Sequence, residues 1–93
     1  MGFLSWKTDR TNQFKKCYKN ASSEIQDRVK AAIMRLIEEK DPRILGERKQ
    51  GQLAGVWAYE IGRSCRLLYS LDWDDHTLLL DRVCDHNVAY SKR

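Results

Sequence analysis

The fold is decided by residues 51–90, whose sequence is GQLAGVWAYEIGRSCRLLYSLDWDDHTLLLDRVCDHNVAY. Three runs of strand-forming residues in this stretch are separated by turn residues, which is typical of antiparallel strands. The middle run alternates most sharply: its odd-numbered side chains, from Cys65 to Leu71, share one face, and Arg66 lies on the other. The predicted strands span residues 56–61, 65–71 and 77–84, with residues 62–64 as a hairpin turn.

The first twenty residues predict a short strand followed by a helix. Residues 2–7 alternate weakly and predict an edge strand. From Thr8 onward the spacing of Phe14 and Tyr18 is helical, and Thr8 or Asp9 is the expected helix cap.

A second helix is predicted after the break at residues 20–23. Ser23 and Gln26 fit a capping box, and Asp41-Pro42 ends the helix because proline disfavours helical geometry in the residue before it. One apolar stripe with helical period consists of Ile25, Val29, Ala32, Ile33, Leu36 and Ile37. The fold class is therefore α+β: a two-helix hairpin packed on an antiparallel sheet of about four strands.

Length and composition limit what the chain can be. Its 93 residues predict a single domain over residues 1–93, without the long insertions that enclose a substrate. A net charge of +4, from 17 basic and 13 acidic residues, favours a nucleic acid or an acidic protein as partner. Three cysteines without CxxC spacing suit a reducing cytoplasm better than a disulfide framework. No signal peptide or apolar run of membrane-spanning length is found, so we expect a cytoplasmic protein without a membrane partner.

Three side chains of the sheet region are candidates for chemistry. Arg66 begins a core strand on the face away from the core, where it binds phosphate or forms a salt bridge with Glu60; both readings stay open. His86 is a candidate proton donor or acceptor, and Tyr90 a candidate for stacking on a base. The plainer alternative for this pair is a surface histidine and a tyrosine that packs on the core.

Metal or cofactor chemistry is not predicted. Cys84 and His86 are two residues apart, but no standard zinc spacing occurs. His76 is expected to be an ordinary loop residue. The chain also has no P-loop, no GxSxG and no GxGxxG motif, so we expect neither a metal nor a cofactor.

Three segments carry a family resemblance: residues 53–61 (LAGVWAYEI), 65–72 (CRLLYSLD) and 82–90 (RVCDHNVAY). With the helical hairpin before them, they make the chain similar to the RelE/ParE superfamily of small toxins from type II toxin–antitoxin pairs, most closely to the RelE/YafQ-like branch. The resemblance implies a microbial RNase fold, in which two helices pack on a curved antiparallel sheet.

The resemblance also implies an activity. Members of the ribosome-dependent branch cleave mRNA in the ribosomal A site without a metal, by attack of the ribose 2′-hydroxyl on the adjacent phosphate. On this template Arg66 binds the phosphate, His86 acts as acid or base, and Tyr90 stacks or orients. Glu60 is a candidate base, as carboxylates are in some relatives. The expected nucleic-acid-binding residues are Arg48, Lys49, Arg63, Arg82 and Lys92.

The resemblance implies an acidic antitoxin that wraps the toxin, in a toxin–antitoxin heterotetramer, and it also implies mRNA and the ribosomal A site as partners. The second predicted strand departs from the RelE pattern, because Trp57-Ala58-Tyr59-Glu60 contains no lysine. A ParE-like inhibitor of DNA gyrase and an inactive interaction module with this fold therefore remain alternatives.

Overall fold

The structure is a computed structural model that describes residues 5–48, 55–62 and 65–83. Its elements in chain order are strand β1 (Lys7–Arg10), helix α1 (Asn12–Lys19), helix α2 (Ser23–Glu38), a 3₁₀ helix (Pro42–Leu45), and strands β2 (Glu47–Arg48), β3 (Trp57–Gly62), β4 (Cys65–Asp72) and β5 (Thr77–Val83). The described helices include none that is both long and apolar enough to span a bilayer.

The strands form one sheet in the order β1-β5-β4-β3-β2. The pairs from β2 to β5 are antiparallel, whereas β1 runs parallel to β5, with Lys7 opposite Thr77. Two helices packed on a sheet confirm the predicted α+β architecture, and the three predicted strands correspond to β3, β4 and β5. The sheet has five strands where about four were expected, because β2 was not predicted; the edge strand expected at residues 2–7 lies later in the chain, as β1. All four residues of β1 and both residues of β2 are exposed, so no apolar alternation marks them in the sequence.

The prediction of helix from Thr8 onward is wrong for three residues, since the chain stays paired with β5 as far as Arg10. The cap is Thr11: its Oγ1 accepts a hydrogen bond from the Phe14 amide at 3.0 Å and donates one to the Asp81 carbonyl at 2.6 Å. The Thr11 hydroxyl therefore both caps the N-terminus of α1 and joins it to β5 by a hydrogen bond. Of the predicted strand at residues 2–7, residues 2–4 lie outside the described residues, and of the other three only Lys7 belongs to β1.

Helix α2 begins one residue earlier than predicted, and its capping box is not formed. The Ser22 hydroxyl accepts from the Ile25 amide at 3.2 Å, so Ser22 is the cap. Gln26 instead donates through Nε2 to the Tyr18 carbonyl at 2.8 Å, which joins α2 to the end of α1. The helix ends at Glu38, before the predicted stop at Asp41-Pro42.

The predicted apolar stripe of α2 covers the sheet. Val29, Ala32 and Leu36 are buried, and the three isoleucines of the stripe pack against the same core. The sheet's inner face contributes the buried side chains Ile61, Cys65, Leu67, Tyr69, Leu78, Leu80 and Val83. Burial of apolar surface stabilises a fold by about 25 cal/mol per Å², so this contact between α2 and the sheet contributes to stability.

Tyr69 fixes the end of the core near the 3₁₀ helix. It is fully buried, and its hydroxyl donates a hydrogen bond of 2.7 Å to the Pro42 carbonyl. Burial raises the pKa of this phenol, and the charges of Asp41 and Tyr59 raise it further, so the donating proton stays in place. Gly46 lies directly against the Tyr69 hydroxyl, where a Cβ atom would overlap with it.

Two cysteines fall in the part of the chain that the structure describes. Cys17 is partly exposed and free. Cys65 is buried in the core and disulfide-bonded, so the expectation that the cysteines stay unpaired is wrong for this residue. Sequence spacing alone did not indicate this, because disulfide pairing depends on proximity in the fold.

Candidate functional site

One face of the sheet points away from the helices, and we call it the open face. Cys65 and Leu67 on β4 are buried on the inner face, so Arg66 between them points away from the helices. The pairing of β3 with β4 places Glu60 opposite Arg66. The pairing of β4 with β5 places Arg82 opposite Leu68, which is two residues after Arg66 in β4 and therefore on the same face. Register therefore brings three of the predicted site residues together.

Arg66 and Glu60 are both exposed, and within the described ranges neither side chain forms a hydrogen bond or an ion pair. The salt bridge considered from the sequence is therefore not formed between these two residues. An arginine in this situation presents its planar fork of N–H donors to solvent, in the geometry that matches a phosphate or carboxylate.

Arg82 differs from Arg66 in having a carboxylate beside it. Its Nε lies 3.5 Å from Oδ2 of Asp81. The pairing of β4 with β5 shifts register between Leu68 and Tyr69, so Asp81 is an additional residue in β5. This bulge sets the direction of the end of β5 and with it the position of Arg82.

The structure does not bring Arg48 to the open face. Arg48 pairs with Trp57 in the sheet, and Trp57 pairs with Tyr69, whose side chain is on the inner face. Arg48 therefore lies on the inner side of the sheet, opposite to Arg66. The remaining predicted site residues lie outside the described residues: Lys49, Arg63, His86, Tyr90 and Lys92.

Arg48 instead borders a cleft that the sequence did not reveal. This cleft has a volume of about 400 Å³ and is lined by Arg43, Arg48, Gly55, Trp57, Leu71 and Trp73; we call it the tryptophan cleft. Trp73 is 49% exposed although Trp6 packs edge-to-face against it, with ring centroids 4.9 Å apart. The only sequence signal was an indole in an acidic turn, which by itself did not distinguish a binding surface from a loop.

The Arg43 side chain forms one wall of the tryptophan cleft. Its Nε and Nη2 each donate to a different carboxylate oxygen of Asp41 at 2.8 Å, and its Cζ lies 5.1 Å from the ring centroid of Trp73. These hydrogen bonds hold the pKa of Asp41 below its usual value and raise that of Arg43. The guanidinium is thereby fixed as a flat surface over the indole.

A second groove lies on the helical side of the molecule. It has a volume of about 400 Å³ and is lined by Arg10, Phe14, Lys15, Tyr18, Lys30 and Ile33; we call it the hairpin groove. The rings of Phe14 and Tyr18 stack with centroids 5.8 Å apart. The three cations form no ion pair within the described part of the chain. The groove therefore combines an apolar floor with a positively charged rim.

Metal binding finds no candidate among the residues that the structure describes, since they contain no group of three or more His, Cys, Asp or Glu side chains suitably placed for an ion. His76 has a packing role: its ring stacks on Trp6 with centroids 4.0 Å apart, and its φ of 54° lies in the left-handed region.

Several solved structures share this fold. An Escherichia coli RelE toxin mutant in the free state superposes with a TM-score of 0.73 at 18% identity, covering 95% of this chain and 93% of that one. YafQ from E. coli gives 0.67 at 19% identity, with 84% and 90% covered. The intact E. coli RelBE toxin–antitoxin complex gives 0.69 at 14% identity, with 85% and 94% covered. At these identities the likeness establishes the fold.

Sequence comparison identifies the family. No curated protein matches the chain significantly. A family model described as the ParE-like toxin of type II bacterial toxin–antitoxin systems matches residues 9–93, which include every described strand and helix except the first two residues of β1. The chain therefore belongs to the family of ParE-like toxins of type II bacterial toxin–antitoxin systems.

Proposed function

We propose that this toxin is an endoribonuclease that cleaves mRNA, with the open face as its substrate-binding surface. The observation that carries the proposal is the exposed Arg66 guanidinium, which no described carboxylate neutralises, beside the equally exposed Glu60. A cation next to a carboxylate is the pair that phosphodiester cleavage requires, one to bind the phosphate and one to accept a proton.

The reaction follows from these roles. The ribose 2′-oxygen attacks the adjacent phosphorus, the bond from phosphorus to the 5′-oxygen breaks, and the products carry a 2′,3′-cyclic phosphate and a 5′-hydroxyl. Arg66 binds the nonbridging oxygens and stabilises the charge that develops on them. Glu60 accepts the proton of the 2′-hydroxyl.

His86 and Tyr90 complete the proposed site, on the strength of the family resemblance. His86 supplies the proton that the leaving 5′-oxygen takes up, and Tyr90 stacks on a base or orients the phosphate. Arg82 adds positive charge to the open face, close to the path of the RNA backbone. The proposed reaction uses no metal ion.

We further propose that the substrate is mRNA in the ribosomal A site. The open face is a surface without an enclosing lid among the described residues, which suits a substrate presented by another particle. Cleavage of a defined mRNA, assayed with purified toxin in the presence and absence of ribosomes, tests both statements. We expect cyclic-phosphate ends, insensitivity to EDTA and dependence on ribosomes; cleavage that never occurs in either condition would exclude the nuclease.

Inhibition of DNA gyrase is the second candidate function. Two observations favour it: the matching family model is ParE-like, and the exposed residue of β3 that faces Arg66 is an acid where RelE-like enzymes have basic residues. A supercoiling assay with purified toxin decides. Inhibition of supercoiling without RNA cleavage would establish the gyrase inhibitor.

The proposed partner is an acidic antitoxin, because the structural neighbours include a toxin–antitoxin complex. The hairpin groove fits a segment of such a partner. Its cations, Arg10, Lys15 and Lys30, would face carboxylates, and its floor of Phe14, Tyr18 and Ile33 would take an apolar side chain. Two oppositely charged surfaces of this kind accelerate association and make it depend on salt.

The antitoxin contact is testable by charge reversal. Lys15→Glu combined with Lys30→Glu is expected to weaken binding of the acidic protein encoded beside this gene by at least about tenfold, whereas Lys16→Glu with Lys19→Glu on the same hairpin is expected to change it little. Equal losses for the two pairs would mean that net charge, and not the groove, attracts the partner.

A further inference from the structure

The tryptophan cleft is separate from the open face. Its residues Arg48 and Trp57 are sheet partners on the helix side, whereas Arg66 points from the other side of β4. The cleavage reaction proposed above uses none of the six residues that line the cleft. Any ligand held there contacts the protein at a second location.

The walls of the cleft are flat. Trp57 and Trp73 contribute indole rings, and the Arg43 guanidinium lies over Trp73, held in plane by its two hydrogen bonds to Asp41. Indole and guanidinium planes are the surfaces on which unpaired nucleobases stack. Trp73 remains 49% exposed in spite of its contacts with Trp6 and Arg43, so much of its ring is available to a ligand.

The charges in the cleft are divided between two arginines with different roles. Asp41 neutralises Arg43, so this side chain acts mainly as a wall. Arg48 is exposed and forms neither an ion pair nor a hydrogen bond with any residue that the structure describes. A single uncompensated guanidinium beside flat aromatic walls matches a phosphate joined to a planar base.

We propose that the tryptophan cleft binds one nucleotide of single-stranded RNA, with the base stacked on the wall formed by Trp73 and Arg43 and its phosphate held by Arg48. The cleft volume of about 400 Å³ lies in the range of small-ligand sites and leaves room for one nucleotide. This inference rests on the proposed RNA-directed function and adds to it a second anchoring point, away from Arg66. Because stacking is tolerant of base identity, the cleft contributes affinity rather than sequence choice.

The test measures binding without cleavage. The probe is a fluorescein-labelled hexamer of 2′-O-methyl uridine, in which the blocked 2′-oxygen cannot attack the phosphate, and its anisotropy is followed during titration with full-length toxin. Trp73→Leu and Arg48→Gln are each expected to weaken binding about tenfold or more. Lys16→Gln likewise removes one positive charge, from helix α1, which packs on β5 and not on β2, and we expect it to change affinity less than threefold because an exposed charge far from the cleft is screened.

Intrinsic fluorescence gives a second readout. The hexamer is expected to quench tryptophan emission of the wild type, and Trp73→Leu is expected to remove most of this quenching. Arg48 is an exposed residue of a two-residue edge strand, so Arg48→Gln should fold normally, which circular dichroism checks. A loss of affinity in this variant thus reports on the cleft even if Trp73→Leu is unstable.

The outcomes separate the cleft from the proposed nuclease. If Arg48→Gln loses affinity and Arg66→Ala retains at least a third of it, the cleft is an RNA site, whether or not the toxin cleaves RNA. Loss in Arg66→Ala alone overturns the inference and leaves the open face as the RNA surface. Unchanged binding in all variants, or binding of a glutamate-rich peptide in place of the RNA hexamer, overturns it as well.

Discussion

Arg66 and Glu60 face each other as register partners on adjacent strands, and no ion pair forms between these two described side chains. Cross-strand charges of opposite sign ordinarily stabilise a sheet by roughly 0.2–1 kcal/mol when they meet. Here both side chains instead extend into solvent. A separated pair of this kind is available to a ligand that brings its own phosphate and hydroxyl.

Arg66→Ala is expected to abolish growth arrest and to lower RNA cleavage by about 10²- to 10³-fold, as removal of one group that stabilises transition-state charge does in other enzymes. Arg66→Lys should recover only part of the rate, because an ammonium lacks the planar fork. Since Arg66 is exposed, thermal unfolding of both variants should match the wild type. Full toxicity of Arg66→Ala at equal expression would contradict the proposed site.

The Glu60→Gln variant tests whether Glu60 acts as a general base or has no part in catalysis. A general base contributes about 10²- to 10⁴-fold, so under the proposed mechanism the amide should lower the single-turnover cleavage rate by that factor without weakening RNA binding. Glu47→Gln is the matched control, because Glu47 is an exposed acid of neighbouring β2 and pairs with Ala58 rather than with Arg66. If both variants cleave faster than the wild type, the acids only repel the RNA.

Tyr69→Phe and Gly46→Ala are expected to be coupled. Loss of the Tyr69 hydroxyl leaves the Pro42 carbonyl without this bond and should cost about 1–3 kcal/mol in the free energy of unfolding. Gly46→Ala should cost a similar amount, about 1–3 kcal/mol, because its Cβ overlaps with that hydroxyl. In the double variant the overlap with the hydroxyl is gone, although the Cβ still lies 3.0 Å from Tyr69 Cζ and from the Ala58 carbonyl oxygen, so the combined loss should fall short of the sum by about 1 kcal/mol.

Urea unfolding of the single and double variants measures this coupling. Tyr59→Phe is a suitable control, since this partly buried phenol donates no hydrogen bond to any residue in the described ranges, and its effect should stay within about 0.5 kcal/mol. Strict additivity of Tyr69→Phe and Gly46→Ala would show that the two residues do not share the contact.

Asp41 is expected to make the free energy of unfolding depend on pH in the acidic range. Its hydrogen bonds from Arg43 lower its pKa below the usual value for an aspartate in the folded state, so its contribution is complete above about pH 4 and is lost as the pH falls through the lowered folded pKa. Asp41→Asn should therefore be less stable than the wild type at pH 7, and the difference should shrink below pH 4. Urea midpoints at pH 7 and pH 3 measure this.

Asp74→Asn is the control for acid dependence, because Asp74 is an exposed carboxylate without an ion pair in the described part of the chain. It should leave the urea midpoint nearly unchanged at both pH values. A difference for Asp41→Asn that grows as the pH falls would contradict the sign derived from its pKa.

The sequence predicted those elements whose side chains face the core. The stripe of α2 and the alternation of β4 were visible because burial selects apolar residues at a fixed period. The first edge strand was predicted too early, at residues 2–7 instead of Lys7–Arg10, because β1 is held by backbone hydrogen bonds to β5 and buries no side chain. Thr11 was missed as the helix cap because Thr8 and Asp9 are chemically just as suitable, and only the extent of β1 decides between them.

The candidate site was predictable to a similar extent. Glu60 and Arg66 flank a short hairpin turn, so local register was enough to pair them. The tryptophan cleft joins side chains from the 3₁₀ helix, β2 and the turn after β4, and no periodicity relates such distant positions. Arg48 lies on the other side of the sheet from Arg66 because of the way β2 pairs with β3. Both residues of β2 are polar, so the sequence does not indicate which of them faces the helices.

The pairing of β1 with β5 sets the order of events during synthesis. The hydrogen bond from Thr11 to Asp81 spans 70 residues, so the first strand has no partner until almost the whole chain has been translated. At about 5–20 residues per second, this delay lasts roughly 4–14 s. Arg66 is synthesised before β5, the strand that pairs with β4 on its other edge, so the nascent chain cannot complete the open face until β5 has emerged.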